Sequence, residues 1–142
     1  MIIAHVCNEA GLWVGEHAKS IASQWPEVRL AYYRWYRNRI RNDFSPGAVQ
    51  FVVQSIRRFH LKIRIANMIA QPDPQKKIRN RAFEKCLVQV GRKARRIGAS
   101  VHLAKMKADQ TQSWPQIEEL LKRTLCTNQI QVLVYCSDRN SD

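Results

Sequence analysis

Apolar and polar positions alternate between two periods along this chain. Ile2 to Cys7 is a short, mostly apolar run of the length of a buried strand. It stops at Asn8, passes Gly11 and Gly15, and then Ala18, Ile21, Ala22 and Trp25 take up helical spacing. Trp25-Pro26-Glu27 restarts the chain, with Pro26 suited to a first helical turn and Glu27 to its positive dipole end. A helix over 27–39 follows, dense in aromatic and arginine residues. Ser45-Pro46-Gly47 reads as a turn. Val49 to Gln54 and Leu61 to Ile69 read as strands joined by the basic connection Ser55–His60, an antiparallel hairpin. Lys62 and Arg64 alternate with Leu61, Ile63 and Ile65, the pattern of a strand exposed on one face.

The clearest helical period runs through Ile78, Ala82, Phe83, Cys86, Leu87, Val90, Ala94 and Ile97 to a stop at Gly98. A short strand over 100–103, a polar loop, a helix opened by Ser113-Trp-Pro-Gln116 and a last strand over 130–135 complete the chain. Strands and helices alternate at both ends around a hairpin, which predicts an α/β fold with a mixed sheet, in one domain spanning 1–142.

Charge changes this picture. The 24 Lys and Arg against 11 Asp and Glu give a net charge of +13. The excess sits between Arg29 and Arg96, where the acidic residues are Asp43, Asp73 and Glu84. Clustered arginine at this density is the electrostatic footprint of a protein that meets nucleic acid or another polyanion. Arg34, Arg37, Arg41, Arg57, Arg58, Arg92, Lys93 and Arg96 are the candidates, the first three spaced to share one helix face. The aromatics interleaved with them (Tyr32, Tyr33, Trp35, Tyr36) fit a core with a charged rim better than a stacking platform.

Chemistry is less evident. The histidines His5, His17, His60 and His102 show no metal-ligand spacing, so no metal or cofactor is expected. His5 and His102 fall within predicted strands, as structural histidines do. Cys7, Cys86, Cys126 and Cys136 form no CxxC pair, and the first three have apolar neighbours. Buried free thiols in a reducing compartment, the cytoplasm, are the expectation. No apolar run approaches the roughly 20 residues of a membrane span. Asp109 is the carboxylate in a loop after a strand, a place where α/β enzymes put catalytic groups.

The order of segments resembles the macro domain, the ADP-ribose-binding module, in its bacterial branch related to enzymes that strip terminal ADP-ribose from proteins. The similar pieces are Ile3-Ala-His-Val-Cys-Asn8, Gly11-x-Trp13, Trp25-Pro-Glu27 with Tyr33-x-x-Trp-Tyr36, and Gly47-x-Val-Gln50. They continue through Ala66-Asn-Met-Ile-x-Gln71, Gly98-Ala-Ser-Val-His102, Trp114-x-x-Ile-Glu-x-Leu120 and Val132-x-Val-Tyr135. The resemblance implies a three-layer α/β/α sandwich and a site for ADP-ribose, or an ADP-ribosylated macromolecule, at Asn8, Gly11, Trp13, Gly15 and Asn67. It also marks departures. The family's usual first strand, with its adenine-holding Asp, has no counterpart before Met1. The first phosphate loop carries Glu16 where the family has small residues. The second, over 104–113, contains no glycine, leaving Lys105 and Lys107 to grip phosphate by charge. Hydrolytic relatives use a Lys and an Asp; Asp109 matches the acid loosely and no Lys matches. The reading is therefore a divergent binding module, with a polyanion-binding protein on the same scaffold as the alternative and an ADP-ribosyl hydrolase as the third.

Overall fold

The computed structural model describes residues 1–136. Five strands form one sheet in the order β2-β3-β1-β4-β5, where β1 is Ile2–Asn8, β2 Val49–Ile56, β3 Leu61–Gln71, β4 Val101–Ala104 and β5 Val132–Tyr135. Only the β2–β3 pair is antiparallel; β1 pairs parallel with β3 and β4, and β4 with β5. The helices α1 (Glu16–Gln24) and α2 (Pro26–Arg37) cover one face, and α3 (Asn80–Ile97) and α4 (Trp114–Thr124) the other. The α/β/α sandwich with a mixed sheet is thus present, and every predicted element appears within about two residues of its expected bounds.

Burial explains the strand sequences. β1 and β3 sit between both helical layers, so their side chains are apolar on both faces: Ile2, Ala4, Ala66 and Met68 pack under α3 and α4, and Ile63, Ile65 and Ile69 under α1 and α2. The first three residues of β3, Leu61 to Ile63, extend past the start of β1, which pairs from Ile2 with Arg64. There the hairpin projects as a two-stranded ribbon; Ile63 and Ile65 are buried and Lys62 is exposed, as predicted, but Leu61 is exposed as well, because no helix covers the ribbon that far out. Its tip is a single 3-10 turn, Arg57–Phe59, closed by His60 in the left-handed region.

The aromatic run of α2 is core. Tyr32 and Trp35 are buried, with Tyr33 and Tyr36 packed at the margin around Phe44. Arg34 and Arg37 are exposed, but the helix ends at Arg37, where the Asn38 side chain donates to the Arg34 carbonyl. Arg41 therefore lies in a separate 3-10 turn rather than on the expected common helix face. A second correction concerns cysteine. Cys7 and Cys86 are buried, but Cys126 is exposed, in a 3-10 turn just beyond α4. Burial pushes the Cys86 thiol up to about 12 and the Cys7 thiol well above its ordinary range. No helix among the described residues is long and apolar enough to cross a membrane.

α3 stops where Gly98 turns left-handed (φ 65°) and donates its N–H to the Ala94 carbonyl. A Cβ at Gly98 would meet open space. Gly98→Ala is therefore expected to cost only the backbone term, about 1 kcal/mol in a urea unfolding curve.

Candidate functional site

β1 is the strand at which the chain's connections diverge. From its carboxyl end the chain leaves through α1 and α2 to β2, on the far side of β3, whereas from β4 it leaves through α4 on the opposite face to β5. Open sheets form their ligand crevices at such points. Here β4 stops at Ala104, opposite the middle of β1, and the shortfall opens a notch beside His5 and Val6. The resulting cavity measures about 690 Å³, within the roughly 300–1,000 Å³ usual for small-molecule sites. Its walls are the start of α1 (Gly15, Glu16, His17), the loop after β4 (Lys105, Lys107, Asp109), Gln71 at the end of β3 and Tyr135 at the end of β5.

The first loop is shaped by Asn8. At the bulge between Cys7 and Asn8 the strand leaves its register with β3. The Asn8 amide then gathers the loop: Oδ1 accepts from the backbone N–H of Ala10 (3.0 Å) and Leu12 (3.1 Å), and Nδ2 donates to the Leu12 carbonyl. Tyr32, fully buried in α2, donates its hydroxyl to the Asn8 carbonyl at 2.7 Å. Gly11, at φ 75°, lies flat against Tyr36, whose ring stands 2.5 Å from where a Cβ would be. Trp13 packs edge-on to His5 and donates Nε1–H to the Ala18 carbonyl at 2.8 Å, tying loop to helix. Gly15 then starts α1 with no side-chain cap, at φ 101° and with open space where a Cβ would be. The first N–H groups of α1 thus lie at the cavity wall, with the carboxylate-bearing Glu16 among them.

Of the residues expected to hold a ligand, Gly15, Lys105, Lys107 and Asp109 line the cavity. Asn8, Gly11 and Trp13 do not; they build the loop that presents Gly15. Asn67 is fully buried and lies within the fold beneath α1 and α2. Its Oδ1 accepts from His5 Nε2, its Nδ2 donates to Gln50 Oε1 at 3.0 Å, and Gln50 donates on to the Ala31 carbonyl of α2. This chain fixes His5 as the neutral Nε2–H tautomer. Sequence reasoning missed His17, Gln71 and Tyr135 as cavity residues: it read β4 as short, but which side chains meet beside its end depends on strand order and register, which the sequence pattern does not show. Tyr135 stacks on His102 and bonds its Nδ1 at 2.6 Å, while Ser100 bonds Nε2. No group of three His, Cys, Asp or Glu residues among those described is placed to hold a metal.

No family model and no curated protein matches the sequence. Solved structures do. A macrodomain protein from Streptomyces coelicolor is 34% identical with a TM-score of 0.85, the match covering 97% of this chain and 88% of that one. This chain belongs to the macrodomain family. A Bacteroides thetaiotaomicron protein is 30% identical over 96% of this macrodomain and 88% of its own length, also at TM-score 0.85. The fold recurs at 14% identity, TM-score 0.77, in Thermosipho africanus DarTG, a structure in complex with ADP-ribose, of which the match covers 96% of this macrodomain and 38% of that chain.

Two measurements test the site's architecture. Gly11→Ala adds a clash with the Tyr36 ring to the left-handed backbone cost, and is expected to destabilise by about 2–4 kcal/mol; Gly15→Ala meets no clash, but its backbone (φ 101°, ψ 155°) lies in a region essentially open to glycine alone and is expected to cost about 1–3 kcal/mol. His5, held down at about 4 by burial, stays neutral in the fold while the unfolded imidazole protonates near 6.5. The unfolded state therefore binds more protons between these values, and stability falls as pH drops from about 6.5 to about 4, by roughly 3 kcal/mol in all. His5→Gln is expected to flatten that slope.

Proposed function

We propose that the cavity at the carboxyl ends of β1 and β4 binds ADP-ribose, or a nucleotide closely related to it, with weak affinity. The observation that supports this most directly is the uncapped start of α1 at Gly15, lying on the wall of a cavity of small-molecule size and held there by the Asn8 clamp. Family membership and the ADP-ribose complex of Thermosipho africanus DarTG support the choice of ligand.

The charges around the cavity set the strength. Lys105 and Lys107 flank it on the loop after β4 and give the diphosphate point charges instead of a glycine-lined backbone cradle. The Lys105 ammonium lies 5.9 Å from the Trp114 ring centroid, a contact that holds it near the loop. Glu16 opposes them, because its carboxylate stands at the positive end of α1 where a phosphate would bind. Asp109 is exposed on the wall and joins no ion pair with another described residue. Among the described residues no hydrogen bond orients its carboxylate as a general acid or base requires, and the proposal is therefore one of binding.

Calorimetry with ADP-ribose is expected to give a dissociation constant of about 0.1–1 mM, roughly −4 to −5.5 kcal/mol. Lys107→Ala should weaken it about three- to fivefold and Glu16→Gln should tighten it by a similar factor, both effects shrinking with salt. Absence of heat at millimolar ligand for the parent chain and for Glu16→Gln alike overturns the reading.

A further inference from the structure

The basic residues of this chain separate into two groups once it folds. Arg34 and Arg37 lie on α2, in the layer opposite α3, and Arg41 follows in its own turn. Arg92, Lys93 and Arg96 belong to α3, on the side of that helix which faces β2. Gln89, one turn earlier, donates to the Gly47 carbonyl before β2, and the Lys93 ammonium sits 5.5 Å from the Phe51 ring centroid in β2. α3 runs antiparallel to β3. One turn beyond Lys93, Arg96 is therefore level with the next pair on that face below Phe51, the exposed Val53 and the half-buried Arg64. Lys62 follows on the same face of β3, about 7 Å further along. The ribbon ends in Arg57, Arg58 and Phe59.

The resulting surface is continuous from the end of α3 to the hairpin tip. No Asp or Glu lies between Asp43 and Asp73 or between Glu84 and Asp109, so neither the hairpin nor the second half of α3 carries a counter-charge of its own. Apolar groups stand exposed beside the cations: Phe59 at 62% and Val53 at 48%, with Leu61 at 56% on the ribbon's other face. The Arg58 guanidinium is 5.6 Å from the Phe59 ring centroid. The tip lies at the amino end of β3, away from the cavity at the carboxyl ends of β1 and β4.

We propose that this hairpin and the adjoining side of α3 bind single-stranded nucleic acid, independently of the cavity. Arg57, Arg58, Lys62, Arg64, Lys93 and Arg96 follow the phosphates, and Phe59 offers a ring on which an unpaired base stacks. A duplex hides its base faces and makes no use of Phe59. A lipid surface would require a contiguous apolar patch, whereas the exposed Val53 and Leu61 lie on opposite faces of the ribbon.

Fluorescence anisotropy with a labelled single-stranded RNA or DNA of mixed sequence, using the full chain, tests this. Binding is expected to weaken steeply with salt, the logarithmic slope being about −0.7 for each phosphate neutralised. Joint replacement of Arg57 and Arg58 by Ala should make that slope shallower by about one. Phe59→Ala, at an exposed position, should weaken binding about tenfold and leave the slope unchanged, the signature of lost stacking rather than lost charge. Saturating ADP-ribose should displace nothing, whether or not the cavity binds it. The proposal is overturned by absence of binding at low salt, by equal affinity for a duplex of the same length, or by a Phe59→Ala variant that binds as the parent does. Co-sedimentation with phosphatidylserine vesicles that excess oligonucleotide fails to relieve also overturns it, assigning the surface to membrane instead.

Discussion

Two atoms of one side chain, together with its own carbonyl, determine how the first loop of this macrodomain leaves the sheet. Asn8 accepts two backbone N–H groups, donates to a carbonyl four residues on, and has its main chain bonded by the buried Tyr32 hydroxyl. The loop between Asn8 and α1 is thereby closed on itself instead of being left to solvent. Gly11 can lie against Tyr36 and Trp13 against His5 only because that closure sets their positions. Replacing the amide with a group of similar volume but one polarity would leave either the two donors or the Leu12 carbonyl unsatisfied. The wall of the cavity is thus specified one layer behind itself, by residues that no ligand in the cavity would touch.

The same separation between builders and liners explains what the sequence revealed. The fold was legible because α3 and the strands bury wide faces, and burial writes a period: Ile78 to Ile97 repeats every helical turn, and β1 is apolar on both faces because both are covered. The site was legible only as a region. Asn8 and Asn67 are amides in strands near a ligand crevice, and nothing in their spacing tells whether the amide faces a ligand or a neighbouring strand. Asn67 pairs with His5, 62 positions away, a partner that only the parallel register of β1 on β3 supplies. Cys126 illustrates the converse. Its neighbours Leu125 and Ile130 are buried, yet the turn that ends α4 rotates the thiol outwards, a local reversal that composition does not encode.

Electrostatics divides the molecule along the strand axis. At the carboxyl ends of β1 and β4, lysines, a glutamate and an aspartate surround one cavity, so a bound anion meets attraction and repulsion within a few side chains. At the opposite end, cations lie on β3 and on the second half of α3, and neither stretch carries an acid to offset them. The net charge of the chain is therefore a poor guide to the cavity and a good guide to the ribbon.

The sheet itself tapers. β3 has eleven residues and β2 eight, while β4 and β5 have four each, and the cavity lies beside the short strands. Few ladder bonds hold that side, so cooperative opening there costs less free energy than unzipping β1 from β3. Any molecule gripped between the α1 start and the loop after β4 would cross-link the yielding half of the sheet to the firm half. Occupancy would then register as slowed amide exchange along the whole of β4 and β5, down to Val101 and Val132, which do not line the cavity.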